Sequence, residues 1–176
     1  MTDNDKNTID RILSRGVVVG AFPSMKKLRH ELLSGRKLRI YIGADPTSNS
    51  LHLSHAKNYI LLEELRKLGH EVIVLFGDFT AMIGDPTDRQ SARTKLSPEK
   101  VKANVRDWMR QIKPLMDFEA KVNPPLIMYN SKWLAGMNLV DLLDLASNFS
   151  VQRVLKRDMF EKRMDENKPI FLHEFM

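Results

Sequence analysis

Two hydrophobic periods alternate along this chain. Residues 6–34 carry apolar positions at helical spacing and predict two short amphipathic helices around a turn at Gly16 to Pro23. In the second, Met25, Leu28, Leu32 and Leu33 share a face, and Ser34-Gly35 ends it. The period then falls to two. Leu38-Arg39-Ile40-Tyr41-Ile42-Gly43 predicts a strand, with Leu38, Ile40 and Ile42 on one side and Arg39 and Tyr41 on the other. Asp45-Pro46-Thr47-Ser48-Asn49-Ser50 has the composition of a loop. A helix is expected from about Leu51 to Leu68, with Ile60, Leu61, Leu65 and Leu68 as its stripe and Glu63 paired to Lys67 one turn on. Gly69 stops it. Val72-Ile73-Val74-Leu75-Phe76 is apolar throughout, as a strand buried on both faces of a parallel sheet would be.

Strand, helix and strand in this order form a βαβ unit. The stretch Gly77 to Thr94 is loop-like and dense in Gly, Asp, Pro and Arg. Ser97-Pro98-Glu99 then opens a long helix, with Ser as cap and Pro at the first helical position. Val101, Val105, Trp108, Ile112 and Leu115 line one face of it. Pro124-Pro125 precedes a third short strand, Leu126-Ile127-Met128-Tyr129, and helices are expected over about 138–147 and 150–165, the latter capped by Ser150. The fold class is therefore α/β, a parallel sheet flanked by helices.

Composition narrows the function classes. The chain has 176 residues, 43% apolar and 28% charged, in the range of a folded globular domain. No apolar run approaches the roughly 18 residues that span a bilayer. The acidic, polar start Met1-Thr2-Asp3-Asn4-Asp5 lacks the basic and apolar stretches of a signal peptide. With no cysteine there is neither a disulfide framework nor a thiolate metal site. A cytoplasmic location with no membrane partner is expected. The net charge of +6 favours anionic partners such as RNA or nucleotide phosphates. The closing His173-Glu174-Phe175-Met176 is apolar and uncapped, and reads as a cut.

Two constellations carry candidate chemistry. The first is Asp45-Pro46-Thr47 followed by Leu51-His52-Leu53-Ser54-His55, between the first strand and its crossover helix. Ligands of open α/β sheets bind beyond the carboxyl ends of the strands. A helix N-terminus there offers N–H groups and positive dipole charge to phosphate. His52 and His55, three apart, are expected to share a helix face. Without a carboxylate ligand close by they make a poor metal site, and none is assigned. The second constellation is Gly77-Asp78-Phe79-Thr80-Ala81-Met82-Ile83-Gly84-Asp85-Pro86, then Arg89 and Arg93. It leaves the sheet on the same edge. Asp85 suits an ammonium group, and the two guanidinium groups suit polyphosphate. Each stretch, taken singly, also has the composition of an ordinary turn with solvated charges.

In order, Tyr-x-Gly-x-Asp-Pro-Thr, Ser-Leu-His-Leu-x-His and Gly-Asp-Phe-Thr-Ala-Met-Ile-Gly-Asp-Pro resemble the catalytic domain of bacterial tyrosyl-tRNA synthetases, class I aminoacyl-tRNA synthetases with a Rossmann-like sheet. Tyr129-Asn130-Ser131-Lys132-Trp133-Leu134, Ser150-Val151-Gln152-Arg153 and Pro169 to Phe175 resemble later stretches of the same family. The resemblance covers about 36–176 and leaves 1–35 as an N-terminal helical segment.

This resemblance implies substrates and roles. The substrates would be ATP with its Mg2+, tyrosine and tRNA(Tyr), and the enzyme would be a homodimer, for which the apolar positions between Leu126 and Leu145 are candidates. His52-Leu53-Ser54-His55 stands where the family has His-Ile-Gly-His. Thr47 and His52 would bind the outer phosphates, with His55 near the ribose and α-phosphate. Gly43, Asp45, Pro46 and Ser54 would complete the ATP site. Tyr41 would hydrogen-bond the substrate phenol and Asp85 its ammonium, while Arg89 and Arg93 would reach the pyrophosphate. Serine replaces the family's glycine at position 54, and a side chain there would crowd the adenine. The family's second signature, a Lys-rich loop, is not in these 176 residues, so the chain by itself is expected to be inactive. Three other readings share parts of the pattern: a tryptophanyl-tRNA synthetase, a small adenylyltransferase with a His-x-x-His signature, and a basic RNA-binding module. Tyr41 and the Gly77–Pro86 stretch favour tyrosine. The module would want stacking aromatics, and only 7% of the chain is aromatic.

Overall fold

The computed structural model describes residues 3–83 and 96–171. Helices α1 (Asp3–Ser14) and α2 (Met25–Leu33) precede strand β1 (Arg39–Ala44). Helix α3 (Leu53–Lys67) leads to β2 (Glu71–Phe76), and α4 (Pro98–Ile112) leads to β3 (Leu126–Tyr129). The short helices α5 (Ser131–Leu134), α6 (Leu139–Ser147), α7 (Val151–Leu155) and α8 (Asp158–Asp165) follow. The three strands are parallel, in the order β1-β2-β3. This is the expected α/β arrangement.

Register matters most for function. Ala44 pairs with Phe76, and Phe76 with Tyr129. The three strands thus end level, and Asp45, Gly77 and Asn130 leave the sheet side by side. Sequential strand order with right-handed crossovers puts both crossover helices on one face. There Val72, Val74 and Phe76 of β2 meet Tyr59 and Leu62 of α3 and Val105, Trp108 and Ile112 of α4. Each such side chain contributes about 1.5–3 kcal/mol when fully buried. On β1, Ile40 and Ile42 join this core, while Tyr41, on the other face, is 67% exposed. A second cluster joins Ile9 of α1, Leu32 of α2 and Leu65 of α3. Ion pairs from Arg11 and Arg15 to Glu64 reinforce it.

The ends of the elements follow local chemistry. Ser97 caps α4 by accepting the Lys100 N–H, with Pro98 in the first turn. Gly69, at φ +95°, closes α3: its N–H reaches the Arg66 carbonyl at 2.8 Å and the next N–H, of His70, reaches Leu65 at 3.3 Å. This pair of bonds closes the helix at its last carbonyls, and Asn123 Nδ2 adds a further bond to the Arg66 carbonyl at 3.2 Å. Asn138 and Asp141 form a reciprocal cap at the start of α6, and Ser150 caps α7.

Two expectations are corrected and a third is extended. Residues 150–165 form two helices, because Arg157 takes an extended backbone (φ −73°, ψ 134°) and acts as the cap of α8, on which Phe160 is buried. The expected Glu63–Lys67 ion pair forms at 3.6 Å, and Arg66 adds two closer bonds of 2.7 Å to the same carboxylate. A bidentate guanidinium fork holds a carboxylate more closely than a point charge on a flexible stem. Helix α3 begins at Leu53, and His52 stands just outside it as the cap.

His70 follows α3 and is 4% exposed. Its Nδ1 accepts the Leu38 N–H at 3.3 Å, and its Nε2 is buried without a partner among the described residues. Burial lowers its pKa, disfavouring the charged ring in the fold. A depressed folded-state pKa contributes stability that is present above the unfolded value, about 6.5, and is lost as pH falls toward the folded one. Melting temperature should therefore fall between about pH 7 and 5.5 more steeply in the native protein than in His70→Gln. Equal slopes in a calorimetric pH series would remove His70 as the cause.

Candidate active site at the carboxyl edge of the sheet

The level strand ends are tied together through one hydroxyl. Thr80, in a 3₁₀ turn after β2, donates from Oγ1 to Asp45 Oδ1 at 2.8 Å and accepts from Asn130 Nδ2 at 2.9 Å. Asn130 Oδ1 in turn accepts the Phe79 N–H at 2.9 Å. Asp78 secures the start of α5, accepting from the Ser131 N–H at 3.0 Å and its hydroxyl at 2.6 Å. Residues from all three strand ends thus form one network. The close approach depends on Gly77, where a Cβ would lie 1.8 Å from Asp45 Oδ1 and 2.6 Å from Thr80 Oγ1. Beside it, Tyr129 stacks on Phe76 at 5.8 Å, and burial, then the Asp78 charge, raises its phenol pKa.

The loop after β1 is held from the side by α4. Asn104 Nδ2 donates to the Pro46 carbonyl at 2.8 Å, and Trp108 Nε1 to the Ser48 carbonyl at 2.8 Å. Gln111 makes two bonds to the loop, donating to Asn49 O at 3.0 Å and accepting the Leu51 N–H at 2.9 Å. Positions 104, 108 and 111 lie on one helical stripe. The stripe therefore satisfies backbone groups at four of the six residues from Pro46 to Leu51. Pro46 is fully buried beneath this loop and Thr47 is half-buried.

The two signature histidines have different settings. His52 is exposed and caps α3: its Nδ1 accepts the Ser54 N–H at 3.3 Å and lies 3.0 Å from Ser54 Oγ. Its carbonyl accepts the His55 N–H at 2.8 Å. Two N–H groups expected to face a phosphate are thus taken up by His52. His55 is half-buried with its ring centroid 5.7 Å from that of Trp108, and its Nδ1 is buried without a partner among the described residues. Since His52 precedes the helix, the expected shared face does not form.

Of the other sequence-derived candidates, Gly43 sits on β1 opposite Leu75, whose side chain an added Cβ would meet at an ordinary 3.5 Å. Asp85, Arg89 and Arg93 lie outside the described residues. Thr80 and Asn130 were assigned no role from sequence. The available signal was their position one to four residues past two strand ends.

The architecture now has a family. A family model for class I tRNA synthetases of tryptophan and tyrosine (W and Y) matches residues 33–176. The chain belongs to this family. It is 41% identical over 166 residues to the tyrosine–tRNA ligase of Carboxydothermus hydrogenoformans, covering 93% of this chain and 39% of that protein. It is 38% identical over 172 residues to the tyrosine–tRNA ligase of Chlorobaculum tepidum, covering 97% and 41%. The chain thus spans about two fifths of the length of these relatives. Among solved structures, a C-terminally truncated Aspergillus nidulans mitochondrial tyrosyl-tRNA synthetase superposes with a TM-score of 0.76 at 24% identity, covering 96% of this chain and 50% of that one. At that identity the likeness supports the fold alone. It assigns the class I synthetase sheet to β1–β3 and their crossovers.

The Gly77 contact is directly testable in this class I chain. Gly77→Ala should expel the Asp45 carboxylate from Thr80 and destabilise the fold, while in an Asp45→Ala background most of the obstacle is gone. A denaturation cycle of the two changes should fall short of additivity by about 0.5–3 kcal/mol. Strict additivity would show that the carboxylate is not what excludes a side chain at position 77.

Proposed function

We propose that this chain is catalytic-domain sequence of a tyrosine–tRNA ligase, which joins tyrosine to ATP and passes the tyrosyl group to tRNA(Tyr). The observation that carries the reading is the juxtaposition, on one sheet edge, of the Asp45–Thr80–Asn130 network and the His52 cap. The names of the relatives at 38–41% identity support the choice of amino acid. A tyrosine carboxylate oxygen would attack the α-phosphorus of Mg·ATP as the bond to pyrophosphate breaks. No general base is required, since the nucleophile is already ionised at neutral pH. Catalysis is then positioning and stabilisation of phosphoryl charge.

In this reading Thr47 and His52 hold the outer phosphates, and His55 lies toward the ribose and α-phosphate. Gly43, Asp45, Pro46 and Ser54 complete the nucleotide site, and Tyr41 and Asp85 bind tyrosine. Arg89 and Arg93 supply charge to the pyrophosphate, and Mg2+ enters with ATP. The exposed apolar side chains Leu139, Val140, Leu143 and Leu145, near Ile127 and Trp133 in sequence, are offered to a second copy of the chain. Among the described residues no helix is long and apolar enough to cross a membrane, in keeping with a cytoplasmic ligase.

Tyrosine-dependent ATP–pyrophosphate exchange tests the reading. In an exchange-active ligase carrying this sequence, His52→Ala should slow exchange roughly 10-fold or more, about 1.4 kcal/mol. Tyrosine binding measured without ATP should change little. Exchange at the native rate would take His52 out of the phosphate site.

A further inference from the structure

We propose that Ser54 is a positioning residue whose hydroxyl locks the His52 imidazole in the tautomer that presents Nε2–H to an ATP phosphate. The phosphate half of the proposal rests on the ligase reading above, and the tautomer half rests on geometry alone. His52 Nδ1 accepts the backbone N–H of Ser54, and a backbone N–H can only donate. Nδ1 therefore offers a lone pair and carries no proton. Ser54 Oγ lies 3.0 Å from the same nitrogen, so against an acceptor its hydroxyl must be the donor. The ring proton of neutral His52 is left on Nε2, the nitrogen not engaged by Ser54.

The hydroxyl is the closer of the two contacts. The backbone bond, at 3.3 Å, is slightly longer than the usual N–H range, and the hydroxyl contact is 3.0 Å. His52 is exposed, so a single long bond would leave its ring free to rotate. Two donors on one nitrogen fix the ring plane and polarise Nε2–H toward an anion. This assigns the serine within His-Leu-Ser-His a use and opposes the expectation that it only crowds the adenine. A crowding side chain weakens ATP, and its removal tightens binding; a positioning side chain has the opposite sign.

The experiment uses the 176-residue chain labelled with ¹⁵N-histidine, with His52 assigned from a His52→Gln spectrum. At pH 8 the native protein should show His52 Nδ1 as a hydrogen-bonded acceptor and Nε2 as the protonated nitrogen. Ser54→Ala should move the Nδ1 resonance toward that of a free imidazole and weaken Mg·ATP binding about three- to tenfold by calorimetry. Ser54→Thr, which keeps the hydroxyl, should restore both. An unchanged Nδ1 resonance in Ser54→Ala overturns the proposal, and so does unchanged or tighter Mg·ATP binding. If the native 176-residue chain binds no Mg·ATP, the phosphate half of the proposal is overturned; the ligase reading is decided separately by the exchange assay above, and the nitrogen spectrum still decides whether Ser54 sets the tautomer.

Discussion

The hydroxyl of Thr80 holds the functional edge of this molecule together. It donates to Asp45, from the end of β1, and accepts from Asn130, at the end of β3, while itself belonging to the segment after β2. The arrangement requires three strands that end at the same level, which the pairing of Ala44, Phe76 and Tyr129 provides. It also requires a backbone position with no side chain, which Gly77 provides. Asn130 is the buried member of this network, and leaving its amide unpaired would cost about 1–3 kcal/mol.

Helix α4 serves two ends with one face. Val105, Trp108 and Ile112 bury apolar surface against β2, which supports the fold. Asn104, Trp108 and Gln111 supply polar atoms to the Pro46–Leu51 loop, which shapes the proposed nucleotide site. Trp108 belongs to both sets, with its ring in the core and its indole N–H on the loop. A loop of turn residues is costly to order, and a rigid helix that satisfies its backbone groups offsets part of that cost. The stability of the core and the geometry of the loop are therefore coupled through this one helix.

At the other end of the same loop, His52 stands at the N-terminus of α3. By capping α3 it takes up the N–H groups of Ser54 and His55, which an anion would otherwise meet. In the proposed ligase, phosphate recognition would depend on the orientation of this one ring, which gives the neighbouring hydroxyl its proposed role. His55, three residues on, packs against Trp108 and is placed by the core.

Elements whose signals are local were legible in the chain alone. The alternation in Leu38–Gly43, the unbroken apolar run Val72–Phe76, the Ser97-Pro98-Glu99 cap and the Gly69 stop each act within a few residues, and each forms as expected. The family resemblance was equally legible, because it resides in contiguous motifs such as Asp45-Pro46-Thr47 and His52-Leu53-Ser54-His55. Tertiary structure alone decided which polar residues meet. Thr80 and Asn130 are 50 positions apart, and Gln111 lies 60 from Leu51, so no periodicity links them. Their contacts follow from strand register, which turns three separate loops into neighbours. Arg66, which joins Lys67 at Glu63, is likewise placed by distant groups, since it also donates to the carbonyls of Val122 and Asn123. Local sequence proposes several partners for such a side chain, and the packed fold selects those whose geometry satisfies the most hydrogen bonds.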